Sequence, residues 1–439
     1  MRGLNTTIAL VVILGGLLGY IYFVDSKRVI PDPNAKAKAF GEATTADGIE
    51  ELEIRSDKGE TTHLQKNADG WTITAPDKAN ADQGVVGTVT TNLGTLEVQR
   101  VVEEKPADLK QYGLEPPRVE VTFRSRDQKN SRKLVVGDKT ATGGDYYAKS
   151  ADNPRVFLVS NYLDSIFNRT AFDLRDKEIL KFDRDKLDAI EVVKGPMTIQ
   201  FAKIGTDWRV VKPVAVRADF AAVEALLTRL SSTHMQKIVA SEAKELRTYS
   251  LDRPALTASV SAGSSRATLL LGKMTDDGMM YAKDSNLPPV FTVEQAVLTD
   301  LGKEPLEYRR KDLFDGRSFT ANHLEFKRGD QTMIFDKSGP SDKEVWKDGA
   351  GKTVDTMKVE DAINKISNLR AESFDAGTNP ALRMPVLTAT MTFDRTKTET
   401  VTFGRSNNAV FAMRSDEPGT AKTDSAVFDE VTKALDALK

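Results

Sequence analysis

The chain of 439 residues contains no cysteine, which excludes disulfides, thiolate metal sites, a cysteine nucleophile and an anchor through an acylated N-terminal Cys. It has only three histidines, His63, His234 and His323, which lie 171 and 89 residues apart and at unlike places in the pattern described below. Neither a zinc site nor a His-based triad follows from that scatter. There is no excess of charge of either sign, since 62 Lys+Arg face 64 Asp+Glu for a net −2. A nucleic-acid partner needs a basic face that displaces counterions, so none is expected. Phosphate-binding loops are missing as well. LGKMT at 271–275 lacks the upstream glycine and has Met274 in place of the hydroxyl residue, and GGDYY at 143–147 lacks the GxGxxG frame. Both read as strand-to-strand turns.

One long apolar run is present. The 22 residues between Arg2 and Asp25 carry no charge, and Ile8 to Val24 reads IALVVILGGLLGYIYFV. As a helix, such a segment reaches roughly 33 Å, enough for a hydrocarbon core of about 30 Å. The run ends in Tyr and Phe rather than a small-x-small cleavage site, so a retained signal-anchor over 1–28 is expected, single-pass, with the bulk of the chain outside the cytoplasm. Lys27 and Arg28 balance Arg2 and the amino terminus, so flanking charge alone does not fix the orientation. Gly15 and Gly19 form a small-xxx-small pair that would let another membrane helix approach. The stretch 29–46, with two prolines and no period, reads as a linker.

The remainder is one pattern written three times. Trp71, Trp208 and Trp346 are 137 and 138 residues apart. Before each stands an apolar-Glu-apolar strand centred on Glu53, Glu191 or Glu325. After each comes a helix with apolar positions at spacings 0, 3, 4 and 7: Val86, Val89, Thr90 and Leu93, then Val223, Leu226, Leu227 and Leu230, then Val359, Ala362, Ile363 and Ile366. Asp82, Asp219 and Asp355 precede these sets, each placed to cap a first turn. YGLEPP (112–117), YSLDRP (249–254) and LRMP (382–385) follow, then LVVGDK, LLLGKM and VTFGR, then YAK, YAK and FAMR. Basic-acidic seams, LRDKEIL at 174–180 and YRRKDLF at 308–314, lead from one copy to the next. The units are placed at 47–180, 181–314 and 315–439, the third degraded.

Within a unit, alternating runs such as RVEVTFR read as half-buried strands around a single amphipathic helix. The expected class is α+β: three tandem homologous domains of antiparallel sheet with packed helices, preceded by one N-terminal transmembrane helix. The tryptophans read as packing anchors between sheet and helix. Trp346, in VWKDGAG, lacks the strand pattern of the other two. The repeated glutamates alternate away from the apolar face, which suits solvated positions better than acid/base chemistry. No catalytic, cofactor or metal residue is nominated.

The anchor, the Trp strand, YGLEPP, LVVGDK, YYAK, VFLV and the LRDKEIL seam resemble the bacterial envelope family known as domain of unknown function 4340. That resemblance implies a protein held in the bacterial cytoplasmic membrane and working outside it. It further implies a partner in an ABC-type export system, either the permease or a gliding-motility-like auxiliary subunit. The expected function is therefore a non-enzymatic accessory or scaffold protein, and the alternative is an envelope module that binds lipid or glycan.

Overall fold

The computed structural model describes Tyr22 and residues 36–41, 44–126, 128–340 and 343–438. Apart from Tyr22, the expected membrane helix, with Gly15 and Gly19, lies outside the described residues. Among the described residues no helix is long and apolar enough to cross a membrane. The chain divides into two compact units, Met1–Asp176 and Lys177–Lys439.

The first unit holds nine strands: β1 (Ile49–Arg55), β2 (Thr61–Asn67), β3 (Gly70–Ala75), β4 (Ala79–Asn80), β5 (Arg100–Glu103), β6 (Val119–Ser125), β7 (Arg132–Lys139), β8 (Asp145–Ser150) and β9 (Val156–Ser160). Helix α1 (Gln83–Gly94) leaves from β4 and returns to β5, and the short α2 (Asp164–Phe167) and α3 (Ala171–Leu174) close the unit. The sheet order is β4-β3-β2-β1-β6-β7-β8-β9-β5, so the helix runs from one edge to the other.

The second unit contains two sheets. One is formed by β10 (Ala189–Lys194), β11 (Met197–Ile204), β12 (Asp207–Lys212), β13 (Val216–Arg217), β14 (Lys237–Ala240), β15 (Leu256–Ala262), β16 (Ser265–Met274), β17 (Met279–Asp284) and β18 (Val290–Glu294), with helices α4 (Phe220–Ser232) and α5 (Ala296–Leu301). The other is formed by β19 (Ala321–Arg328), β20 (Gln331–Ser338), β21 (Val345–Asp348), β22 (Ala371–Asp375), β23 (Leu387–Phe393), β24 (Lys397–Ser406), β25 (Ala409–Arg414) and β26 (Thr420–Thr423), with helices α6 (Thr356–Ser367) and α7 (Ser425–Asp436). Their orders, β13-β12-β11-β10-β15-β16-β17-β18-β14 and β21-β20-β19-β23-β24-β25-β26-β22, repeat the first, except that the third sheet has no counterpart of β4. Strand pairing is antiparallel in all three. The architecture is α+β, antiparallel sheet packed against helices.

The helix faces follow from the sequence spacing. All twelve positions named above are buried, because residues three and four apart share one side of a helix and that side faces the sheet. Asp82, Asp219 and Asp355 accept hydrogen bonds from the first-turn N–H groups that have no partner inside the helix.

Two other landmarks turn out to be one packing device. Gly137, Gly272 and Gly404 lie inside β7, β16 and β24, so Gly272 is not in the turn that LGKMT suggested. A Cβ on them would stand 2.1, 2.0 and 2.3 Å from the carbonyl oxygens of Tyr112, Tyr249 and Ala381. The YGLEPP-type turn is thus pressed backbone to backbone on the strand, and only glycine leaves room. Tyr112 then packs on Tyr147 and Tyr249 on Tyr281, with ring centroids 5.0 and 5.1 Å apart.

The unit edges differ from those read in the sequence. Lys38, Glu178 and Asp312 form equivalent bridges with Glu97, His234 and Arg370, the segment after each main helix. Phe40, Leu180 and Phe314 behind them are buried. Each sheet therefore has a lead-in segment. Lys38 and Phe40, within the stretch read as a linker, are thus packed on the first sheet, and the seams belong half to the sheet before them and half to the sheet after. Trp346, despite its sequence context, lies in a strand, and the third sheet keeps only the Lys347–Thr353 bridge where the others have β4 and β13.

Candidate functional site: a buried charge junction and its cleft

The three tryptophans occupy matching strands, β3, β12 and β21, and all are buried. Each pairs across the ladder with a lysine, Lys66, Lys203 or Lys337. Each of these strands lies against the main helix of its sheet. His63 lies 3.3 Å from Glu53 and His323 lies 2.7 Å from Asp336, while His234 pairs through its backbone with Glu178. Glu191 accepts from Gln200 and is paired with Arg266; the Gln200 bond and the Arg266 charge hold its carboxyl below the usual range. These groups do not converge. Among the described residues no group of three or more His, Asp or Glu is placed to hold a metal ion.

Charge does converge where the seam at 308–315 passes from the second sheet to the third. The turn between β25 and β26 inserts Glu417 between two arginines of the second sheet's side. Its side chain, 2% exposed, accepts from the Arg217 backbone N–H at 2.9 Å and from Arg217 Nε at 2.7 Å. It also accepts from Arg309 Nη2 at 3.2 Å. Arg217 further donates to Asp315 and to the Asp312 carbonyl, both at 2.7 Å. Arg309 donates to the Pro418 carbonyl at 3.0 Å and lies 3.9 Å over the ring of Phe374. Burial lowers the Arg309 pKa, and Glu417 only partly offsets that effect.

Behind this pair, Glu399 in β24 accepts from the N–H groups of Asp315 and Gly316 at 2.8 Å each. Arg414 donates to Glu399, to Asp416 and to the Leu313 carbonyl. Burial alone would depress the Arg414 pKa, but the two carboxylates raise it above the ordinary value. Burial pushes the Asp416 carboxyl up, and Arg414 more than offsets this, leaving it below the usual range. Arg310 pairs with Asp312 and Asp315, and Arg370 with Asp312. Five guanidiniums thus meet five carboxylates across the junction.

Sequence reading did not find this junction, since Arg217 and Glu417 are 200 residues apart. A local signal existed. Glu399 is in phase with Val401 and Phe403, and Arg414 with Val410 and Ala412, so each is a charge on the buried side of an alternating strand.

A cleft of about 530 Å³ opens over the junction. Trp208 and Arg209 of β12, Arg217 of β13 and the start of α4 form one wall; Arg310, Asp312 and Asp315 form the floor; Phe393 and Lys397, at the β23–β24 hairpin, close the far side.

Two segments of the chain, residues 71–207 and 208–385, match the family model described as Domain of unknown function (DUF4340). Both matches begin at a tryptophan; the first runs from β3 through β11 and the second from β12 through β22. No curated protein matches the chain.

Proposed function

The chain belongs to the DUF4340 family, and from that premise we propose that it is a membrane-anchored, extracytoplasmic accessory protein, a non-enzymatic scaffold for an ABC-type export complex. In this reading residues 1–28 are the anchor, three homologous domains project from it, and the partner is the permease or its auxiliary subunit. The observation that carries the proposal is the junction around Glu417. Buried ion pairs add little net stability compared with apolar packing, because both partners lose their hydration, but they penalise every arrangement that leaves one unpaired. A protein that joins two sheets in this way has its charged groups committed to a fixed geometry, which suits a spacer that presents a surface at a set angle. The apolar run from Ile8 to Val24 supports tethering.

The test is a pull-down of the full chain from membranes in mild detergent, beside a form lacking residues 1–28. Permease or auxiliary subunits should co-purify with the full chain. Loss of tethering removes a local-concentration effect that reaches about 10² to 10⁴ in apparent affinity, so the shortened form should lose them. Recovery of no transporter subunit with the full chain would end this reading. A reporter active only outside the cytoplasm, fused at Lys439, tests the side of the membrane separately.

A further inference from the structure

We propose that the cleft over the junction binds an uncharged oligosaccharide. Its volume of about 530 Å³ falls within the roughly 300 to 1,000 Å³ of small-molecule sites. The lining carries four cationic and four anionic side chains, so it offers no net attraction to a phosphate, a sulfate or an ammonium group. What it offers is donors and acceptors side by side. Arg310 is held 2.8 Å from Asp315 and 3.3 Å from Asp312, and Asp207 and Arg209 stand on the wall with no ion-pair partner among the described residues. A hydroxyl donates and accepts at once, and a ligand bearing many hydroxyls satisfies such a mixed wall better than one bearing a single charge.

The mouth adds an apolar element. Phe220, the first residue of α4, is 67% exposed, and Ile204 at the end of β11 is 60% exposed, both on the lip of the same cleft. An aromatic face is electron-rich and attracts the weakly positive C–H edges of a saturated ring. An acyl chain would need apolar walls along its length, whereas here eight of the fourteen lining residues are Arg, Lys or Asp. Fixed planar polar groups, zero net charge and one exposed ring together describe a sugar site. It is independent of any transporter contact.

The experiment uses the full chain in lipid nanodiscs, which avoids sugar-headed detergents, and titrates it with cellotriose, maltotriose and triacetylchitotriose while following tryptophan fluorescence, since Trp208 lines the wall. Glucose 6-phosphate and a short-chain phosphatidylglycerol serve as charged and lipid comparators. At least one neutral trisaccharide should bind saturably. Phe220→Ala and Asp207→Asn should each weaken it about tenfold, whereas Phe319→Ala, 81% exposed but outside the lining, should leave it unchanged. Circular dichroism melts confirm that the variants fold. The proposal is overturned if no neutral trisaccharide binds at about 20 mM, well above a roughly millimolar weak affinity. It is equally overturned if a comparator binds more tightly than all three, or if neither cleft variant alters binding.

Discussion

Removing the Glu417 side chain tests whether the junction holds the second and third sheets together. In Glu417→Ala, Arg309 keeps only the Pro418 carbonyl and the Phe374 ring. Arg217 keeps Asp315 and the Asp312 carbonyl but loses its Nε and backbone N–H acceptors. Breaking a buried pair from one side costs about 3 to 5 kcal/mol, because the remaining charge stays dehydrated. The retained Asp315 contact argues for the lower end, about 3 kcal/mol, or roughly 150-fold in the opening equilibrium. Hydrogen exchange read peptide by peptide is the assay. Peptides containing Arg217, β25 and β26 should exchange faster by about that factor, and peptides of β1 to β9 should not change. Exchanging all three groups for apolar ones, Arg217→Met, Arg309→Met and Glu417→Leu, should restore most of the protection, since similar-volume apolar replacements of buried ion pairs are often neutral. A loss below about 1 kcal/mol in the single variant would refute the reasoning, as that is the range of an exposed pair.

Three further outcomes are expected. Gly272→Ala places a methyl 2.0 Å from the Tyr249 carbonyl oxygen; chemical denaturation should show a loss of about 1 to 3 kcal/mol, as overpacking does, while Gly263→Ala tests backbone strain alone, since nothing lies within 4 Å of its Cβ. The Tyr308 hydroxyl is buried without a hydrogen-bond partner, so Tyr308→Phe should be neutral or stabilising by up to about 1 kcal/mol in thermal melts, a clear loss counting against the assignment. Burial raises the Asp284 carboxyl pKa, and the Asn286 N–H and Lys283 do not offset it. The native state then binds the proton more readily than the unfolded chain, and the contribution to stability falls as pH rises from the ordinary Asp range through the raised value. Asp284→Asn should therefore melt higher than the parent at pH 7, with the gap closing toward about pH 4; a gap that widens in acid would reverse the sign.

Much of the fold is legible because it is periodic. The helix positions and their Asp caps follow from a 3.6-residue repeat, and the strands around Glu53 and in RVEVTFR from a two-residue one. Legibility fails where the cause is not local. Gly272 looks like a turn residue beside Lys273, since nothing in the sequence says that the Tyr249 backbone will lie against it. Phe40, Leu180 and Phe314 sit in irregular lead-ins with no period, so the unit edges were set too late. The cleft draws on β12, α4, the seam and the β23–β24 hairpin, and no single window contains two of its walls.

Comparison of the matching turns shows what the junction adds to the repeated architecture. Asn153, Leu287 and Glu417 occupy the same place in the turns after β8, β17 and β25, each followed by proline. Asn80 and Arg217 occupy the same place in β4 and β13. The acid and its arginine therefore occur only once in three copies, and they occur together, across one seam. Asn80 and Leu287 are both exposed, so a charge at either would stay solvated, unlike the buried Arg217 and Glu417. Packing needs alone would have favoured an apolar pair at Arg217 and Glu417, because that costs no dehydration of charge. The presence of the pair instead argues that what matters at this seam is the angle and register between two sheets, which an apolar contact tolerates loosely and a bidentate, fully hydrogen-bonded acid does not.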